Sequence, residues 1–157
     1  MLVNGIEKEI KLIISDFDGV MTDNRVLVDE NGKEAVFVNR SDGLGIGILK
    51  KKGIDIIILS TEKNPVVSAR ARKLNIECIQ GVDDKARAIE TIAKEKSISL
   101  DNIAYIGNDL NDLEAMKMVG LKIAPTDAYQ EILDIADITT NAKGGYGVIR
   151  EVSNLLL

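Results

Sequence analysis

Lys11-Leu12-Ile13-Ile14-Ser15-Asp16-Phe17-Asp18-Gly19-Val20-Met21-Thr22-Asp23 is the stretch on which the reading of the fold turns. Its front half, residues 11–15 around the apolar run Leu12-Ile13-Ile14, predicts a buried first strand. Its back half sets two carboxylates, Asp16 and Asp18, one residue apart at the end of that strand, with Gly19 freeing the backbone to turn. Two acids on a turning loop suit a magnesium ion and a phosphate.

Outward from this loop, strands and helices alternate. Two short β-rich runs, 25–28 and 35–38, flank Asn31-Gly32 and predict a hairpin flap over about 25–38. Ser41 is the expected cap of a helix over 42–52 that ends at Gly53, and the Gly43, Gly45 and Gly47 inside it imply close backbone packing. The apolar run 54–59 predicts a second parallel strand, and Asn64-Pro65 opens a helix to about 74. A third strand over 76–80 leads to a helix capped by Asp83 or Asp84 and running to about 96. Strands at 103–106, 121–124 and 138–140 follow, with helices at about 111–119 and 128–135 and a last one over 148–157 after the turn Gly144-Gly145-Tyr146-Gly147. This alternation predicts one domain over 1–157, an open, mostly parallel α/β sheet of Rossmann type with helices on both faces.

Composition removes several kinds of chemistry. The 157 residues hold no histidine, which excludes Ser-His-Asp and Cys-His pairs, phosphohistidine and the usual zinc sites, and leaves acid–base work to carboxylates or lysine. The lone Cys78 forms no internal disulfide and is expected as buried filler. A net charge of −5 with 3% aromatic residues argues against a nucleic-acid surface. No apolar run reaches the roughly 20 residues that span a bilayer, and Glu7, Lys8 and Glu9 interrupt the start, so no membrane association and a cytoplasmic location are expected.

Ligands of such sheets lie at the carboxyl ends of the strands, and those ends are polar here. The first strand delivers Asp16 and Asp18, the second Ser60 and Thr61, and the fourth Asn108, Asp109 and Asp112, while Lys85 begins the helix after the third. In order and context these motifs resemble the haloacid dehalogenase-like phosphohydrolases: an acidic D-x-D loop, a Ser or Thr, a Lys at a helix start and a second acidic loop, across nearly the whole chain. The resemblance implies that Asp16 attacks phosphorus to give an aspartyl-phosphate and that Asp18 serves as acid and then base. It further implies Mg²⁺ held by Asp16, the Asp18 carbonyl and an oxygen from Asn108, Asp109 or Asp112, with Ser60 and Lys85 on the phosphoryl oxygens. One departure stands out, Asn108 where most relatives carry Asp; Thr61, where they often carry Gly, is a milder one.

Neither 23–54 nor 60–85 has room for a cap domain. Together with the D-G-V-x-T-D loop, Arg40-Ser41-Asp42-Gly43, Gln80-Gly81-Val82-Asp83-Asp84-Lys85 and the tail Gly144 to Glu151, this resembles the capless 3-deoxy-manno-octulosonate 8-phosphate phosphatases and their acylneuraminate 9-phosphate relatives. That subgroup implies a homotetramer in which hairpins meet, a phosphorylated eight- or nine-carbon sugar acid as substrate, and Glu62, Arg70, Lys73 and Arg150 toward its sugar-acid end. Two other readings stay open. One is a phosphatase-like tetramerisation module with weak or no turnover, linked to an acylneuraminate cytidylyltransferase; the other is a phosphatase for a different small sugar phosphate.

Overall fold

The computed structural model describes residues 1–3 and 6–156. At its centre β3 (Leu12–Ser15) lies between β6 (Asp55–Leu59) and β8 (Ile103–Ile106), parallel to both, with Leu12 opposite Asp55 on one side and Ile103 on the other. Adding β7 (Glu77–Ile79), β9 (Leu121–Ala124) and β10 (Ile138–Thr139) gives a six-stranded parallel sheet of order β10-β9-β8-β3-β6-β7. The chain builds outward from β3 through β6 to β7, then returns to the other side of β3 with β8. The order therefore reverses between β3 and β8, where such sheets open a crevice at their carboxyl ends.

Successive residues of β3 face opposite sides, and a core forms on each. Ile13, Ile56, Ile58, Ala104 and Ile106 meet α1 (Arg40–Lys51), α2 (Pro65–Leu74) and α6 (Val148–Leu155) through Ile46, Leu49, Val67, Ile149 and Val152. Leu12, Ile14, Ile57, Leu59 and Tyr105 meet α3 (Lys85–Lys96), α4 (Leu113–Met118) and α5 (Gln130–Ile135) through Ile89, Ile92, Met116 and Ile132. No cap domain is present among the described residues, and no described helix is long and apolar enough to cross a membrane.

Several boundaries differ from the expectations. The cap of α1 is Asn39, not Ser41: Asn39 Oδ1 accepts the Ser41 N–H at 2.9 Å and its hydroxyl at 2.6 Å, so Ser41 is already helical. The flap ladder is shorter, pairing β4 (Leu27–Val28) with β5 (Glu34–Ala35), because Asp29 Oδ1 accepts N–H groups of both Asn31 and Lys33 and draws the turn inward. A ribbon of β1 (Leu2–Val3) and β2 (Ile6–Glu7) was not foreseen, two-residue strands being too short for periodicity. Asp84 caps α3, and the helix expected at 111–119 is a 3₁₀ turn, Leu110–Asp112, followed by α4. Cys78 is half-buried and packs against the margin of the core that Ile56 and Ile58 join, less deeply than expected. The last helix ends at Leu155, and residue 157 lies outside the described residues.

Candidate active site

Asp16 and Asn108 meet because β3 and β8 are adjacent and in register: Ser15 sits opposite Ile106, and the Asp16 N–H donates to the Ile106 carbonyl at 2.9 Å. The two oxygens of Asp16, which is 5% exposed, face different partners. Oδ1 accepts the Phe17 N–H at 2.8 Å and lies 3.0 Å from Lys85 Nζ. Oδ2 lies 3.1 Å from the Asn108 amide oxygen, which is also 3.0 Å from the Asp18 carbonyl oxygen.

Three oxygens this close repel unless a hydrogen or a cation lies among them. Adjacent ligands of octahedral Mg²⁺, each about 2.1 Å from the metal, sit about 3.0 Å apart, so Asp16 Oδ2, the Asp18 carbonyl and Asn108 Oδ1 fit a magnesium ion. Without a cation, the amide turned about would donate Nδ2 to both neighbours. Gly19 makes room for it: at φ +83, a Cβ there would come within 2.0 Å of Asn108 Nδ2.

Asp112 is fully buried and accepts four hydrogen bonds. Lys85 Nζ donates at 2.7 Å and the Tyr105 hydroxyl at 2.6 Å to Oδ1, while the N–H groups of Asn108 and Asp109 donate at 2.9 and 3.3 Å to Oδ2. Asp109 completes a reciprocal capping box with Asp112 and accepts the Leu110 N–H at 2.7 Å. Both carboxylates thus hold the turn after β8, and the amide of Asn108 is the group of that loop brought to Asp16.

Electrostatics sort the remaining groups. Burial, then the nearby Asp112 carboxylate, pushes the Asp16 carboxyl up to about 7 against the pull of Lys85. Burial acts to lower the Lys85 ammonium, but Asp16 and Asp112 more than offset it and leave it raised. Asp18 is raised by its partial burial and then by Glu62, both of which favour its retaining a proton, against the opposing pull of the hydrogen bond from the Thr22 hydroxyl at 3.4 Å. Burial, then Asp112 and Asp16, holds the Tyr105 phenol well above its ordinary value.

Ser60 is buried just after β6, its Oγ accepting the Glu62 N–H at 3.1 Å. Thr61 is half-buried beside it. Glu62 accepts the N–H groups of Lys63 and Asn64, both at 2.9 Å. With Asp18, Asn24, Val26, Glu34, Val36 and Val66 it lines a cavity of about 250 Å³.

The other expected substrate contacts are not gathered at Asp16. Arg70 donates Nη2 to the Asn39 carbonyl at 3.1 Å. Arg150 directs its guanidinium along α6 to Ser153 and Asn154. Lys73 is exposed in the last turn of α2, and a helix linking two parallel strands runs back along them, so that turn lies toward the amino-terminal ends of the strands, away from the crevice. Tyr105 and Glu34 escaped sequence reading. A lone tyrosine in the apolar run 103–106 was a signal for the first; the second needed the fold of the flap.

A family model for haloacid dehalogenase-like hydrolases matches residues 50–152. A 3-deoxy-D-manno-octulosonate 8-phosphate phosphatase from Salmonella typhi is 36% identical over 151 residues, 96% of this chain and 80% of that protein. A HAD-family protein from Streptomyces avermitilis superposes with a TM-score of 0.92 at 44% identity, covering 95% of this chain and 86% of the other. The 3-deoxy-D-manno-octulosonate 8-phosphate phosphatase from Moraxella catarrhalis, solved with a magnesium ion, a phosphate ion and a KDO molecule, gives 0.91 at 36% identity over 96% of this chain and 87% of that one. With the acidic loop, Ser60, Lys85 and the β8 loop set around one crevice, and with matches of this extent, the chain belongs to the haloacid dehalogenase-like hydrolases.

Proposed function

We propose that this chain is a magnesium-dependent phosphatase that hydrolyses the phosphate monoester of a 3-deoxy-2-keto sugar acid, of the 3-deoxy-manno-octulosonate 8-phosphate or acylneuraminate 9-phosphate type. The observation that carries the reading is the division of Asp16 between two partners, Lys85 on Oδ1 and the oxygen cluster with Asp18 and Asn108 on Oδ2. The sugar-acid class is supported by the names of the matched relatives and by the absence of a cap among the described residues.

The steps follow from the chain's own groups. Asp16 Oδ1 attacks phosphorus, forming an aspartyl-phosphate as the ester P–O bond breaks, and Asp18 gives its proton to the departing sugar oxygen. Asp18, now a carboxylate, takes a proton from the water that attacks the aspartyl-phosphate; inorganic phosphate leaves and Asp16 is restored. Ser60 and Lys85 face the equatorial oxygens, whose charge they balance. A magnesium ion on Asp16 Oδ2, the Asp18 carbonyl and Asn108 would supply positive charge against the phosphoryl group and the nucleophile.

The cavity beside Asp18 suits the hydroxylated arm of the leaving sugar, with Glu34 and Glu62 as acceptors. Those acids repel a carboxylate, so the acid end of the sugar points away from them, and Glu62, expected toward that end, meets the hydroxyl groups instead. Arg70, Lys73 and Arg150 then act on substrate across a subunit boundary, in the homotetramer that the subgroup resemblance implies.

Asn108 favours a second reading, a phosphatase-like assembly module of low turnover associated with a cytidylyltransferase, but such a module has no need of a nucleophile paired with a buried lysine. Phosphate release measured with Mg²⁺ across phosphorylated sugar acids and simple sugar phosphates separates the readings. Sugar-acid phosphates are expected as the preferred substrates and Asp16→Asn as inactive. No turnover on any substrate at high Mg²⁺ would overturn the enzyme reading.

A further inference from the structure

The residues of β8 alternate between the two cores, and nothing in packing alone asks for polarity there. Ile103, Ala104 and Ile106 are apolar; Tyr105 is the exception, fully buried in the core it shares with Ile89, Ala115 and Met116. A phenol in such a place leaves its hydroxyl unpaired unless a partner is built for it. The partner is Asp112 Oδ1 at 2.6 Å, the same oxygen that Lys85 Nζ grips at 2.7 Å. Lys85 in turn reaches Asp16 Oδ1 at 3.0 Å. Tyr105 thus stands two groups away from the nucleophile, joined to it through Asp112 and Lys85.

Resting on the phosphatase reading of Lys85, we propose that Tyr105 is a positioning residue: its hydroxyl pins the Asp112 oxygen that orients Lys85 and limits how tightly that carboxylate holds the ammonium. Two backbone N–H groups fix Asp112 Oδ2, so the carboxylate is a hinge whose free end is set by Tyr105 and Lys85 together. With the hydroxyl gone, Oδ1 has Lys85 as its one remaining donor. The ammonium is then drawn toward Asp112 and away from Asp16 and the phosphoryl oxygens. The loss falls on the step in which charge builds on the phosphoryl group, not on substrate capture, to which Ser60 and the sugar contacts contribute.

Tyr105→Phe keeps the ring and removes the hydroxyl. It is expected to lower kcat about tenfold while KM stays within about twofold, and to have no further effect in a Lys85→Met background followed by single-turnover measurement. An unchanged kcat, or the same loss with and without Lys85, would overturn the proposal. A second measurement needs neither turnover nor a folded Tyr105→Phe protein. The chain has three tyrosines, so 3-fluorotyrosine labelling gives three fluorine signals, and that of Tyr105 is assigned by elimination with Tyr129→Phe and Tyr146→Phe, both exposed positions. The signal should move on Lys85→Met and on addition of beryllofluoride with Mg²⁺; a signal unmoved by both refutes the linkage. A protein that turned over no phosphomonoester would refute the phosphatase reading, while this spectrum would still decide for or against Tyr105.

Discussion

Asn108 brings an oxygen where a carboxylate would bring an oxygen and a charge. Aspartate has nearly the same shape, so Asn108→Asp keeps the close approach to Gly19 and adds a negative charge 3.1 Å from Asp16 Oδ2. Two results are expected: Mg²⁺ affinity rises about tenfold by calorimetry, and the metal-free protein melts at a lower temperature because adjacent carboxylates lose their cation. Unchanged affinity would count against Asn108 as a ligand. Asp42 makes a separate test. It is 1% exposed, and its Oδ1 accepts the Arg150 N–H at 3.1 Å. Burial pushes its carboxyl up from 3.8 to about 6 against the backbone N–H groups of Arg150 and Ile149. Because the folded value is raised, the folded state favours the protonated form; that stability is fully present below about 3.8 and is lost as pH rises through about 6. Thermal melts of the parent against Asp42→Asn should therefore show the parent losing about 3 kcal/mol relative to the variant between acid and neutral pH. A constant difference across that range would contradict it. The site's acids, Ser60 and Lys85 were legible in the sequence because each stands at a strand or helix end. What Asp109 and Asp112 do was not, since a carboxylate's partners depend on where a tight turn aims its N–H groups.

At the scale of elements, the three glycines of α1 separate by what they face, a Cβ on Gly43 meeting only the end of the Leu74 side chain at 3.3 Å. A Cβ on Gly45 would come within 2.8 Å of the Arg150 Cα and 3.0 Å of its nitrogen, so α1 and α6 touch backbone to backbone there. Gly47 has nothing within 4 Å of such a Cβ. Gly45→Ala should cost about 2 kcal/mol in denaturant unfolding, by forcing the helices apart, and Gly47→Ala should gain about 0.5 to 1 kcal/mol. Equal effects would mean that the contact is not what retains Gly45. The sequence led to close packing over the whole G-x-G-x-G run, but only a partner helix distinguishes its members. The strands of the parallel sheet were legible as apolar β-branched runs with turn residues between them. The N-terminal ribbon and the cap of α1 were not: two-residue strands carry no period, and Asn39 and Ser41 are both good caps until the Ser41 hydroxyl is seen bonded to Asn39.

At the scale of the molecule, apolar side chains collect on the flap and the tail turn beside it. Leu27 is 70% exposed, Phe37 77% and Tyr146 65%, and Phe37 and Tyr146 line one hollow with Asp23 and Arg25. Surface of this kind is typical of contacts between chains, and it adjoins the acidic loop at Asp23. The proposed tetramer uses it, so Leu27→Asp with Phe37→Glu should shift light scattering from tetramer toward smaller species. The same pair should lower turnover more than it lowers Mg²⁺ binding, because the oxygens of Asp16, Asp18 and Asn108 that would hold the ion all belong to one chain. A parent protein that is monomeric in solution would contradict the assembly and the cross-subunit role of Arg70, Lys73 and Arg150. Acid quenching during a single turnover of 3-deoxy-D-manno-octulosonate 8-phosphate radiolabelled on phosphorus tests Asp16 as the proposed nucleophile. Transient label is expected on the peptide that contains Asp16, and none on Asp16→Asn; free phosphate formed at full rate without protein-bound label, or undiminished turnover by Asp16→Asn, would rule Asp16 out as the nucleophile.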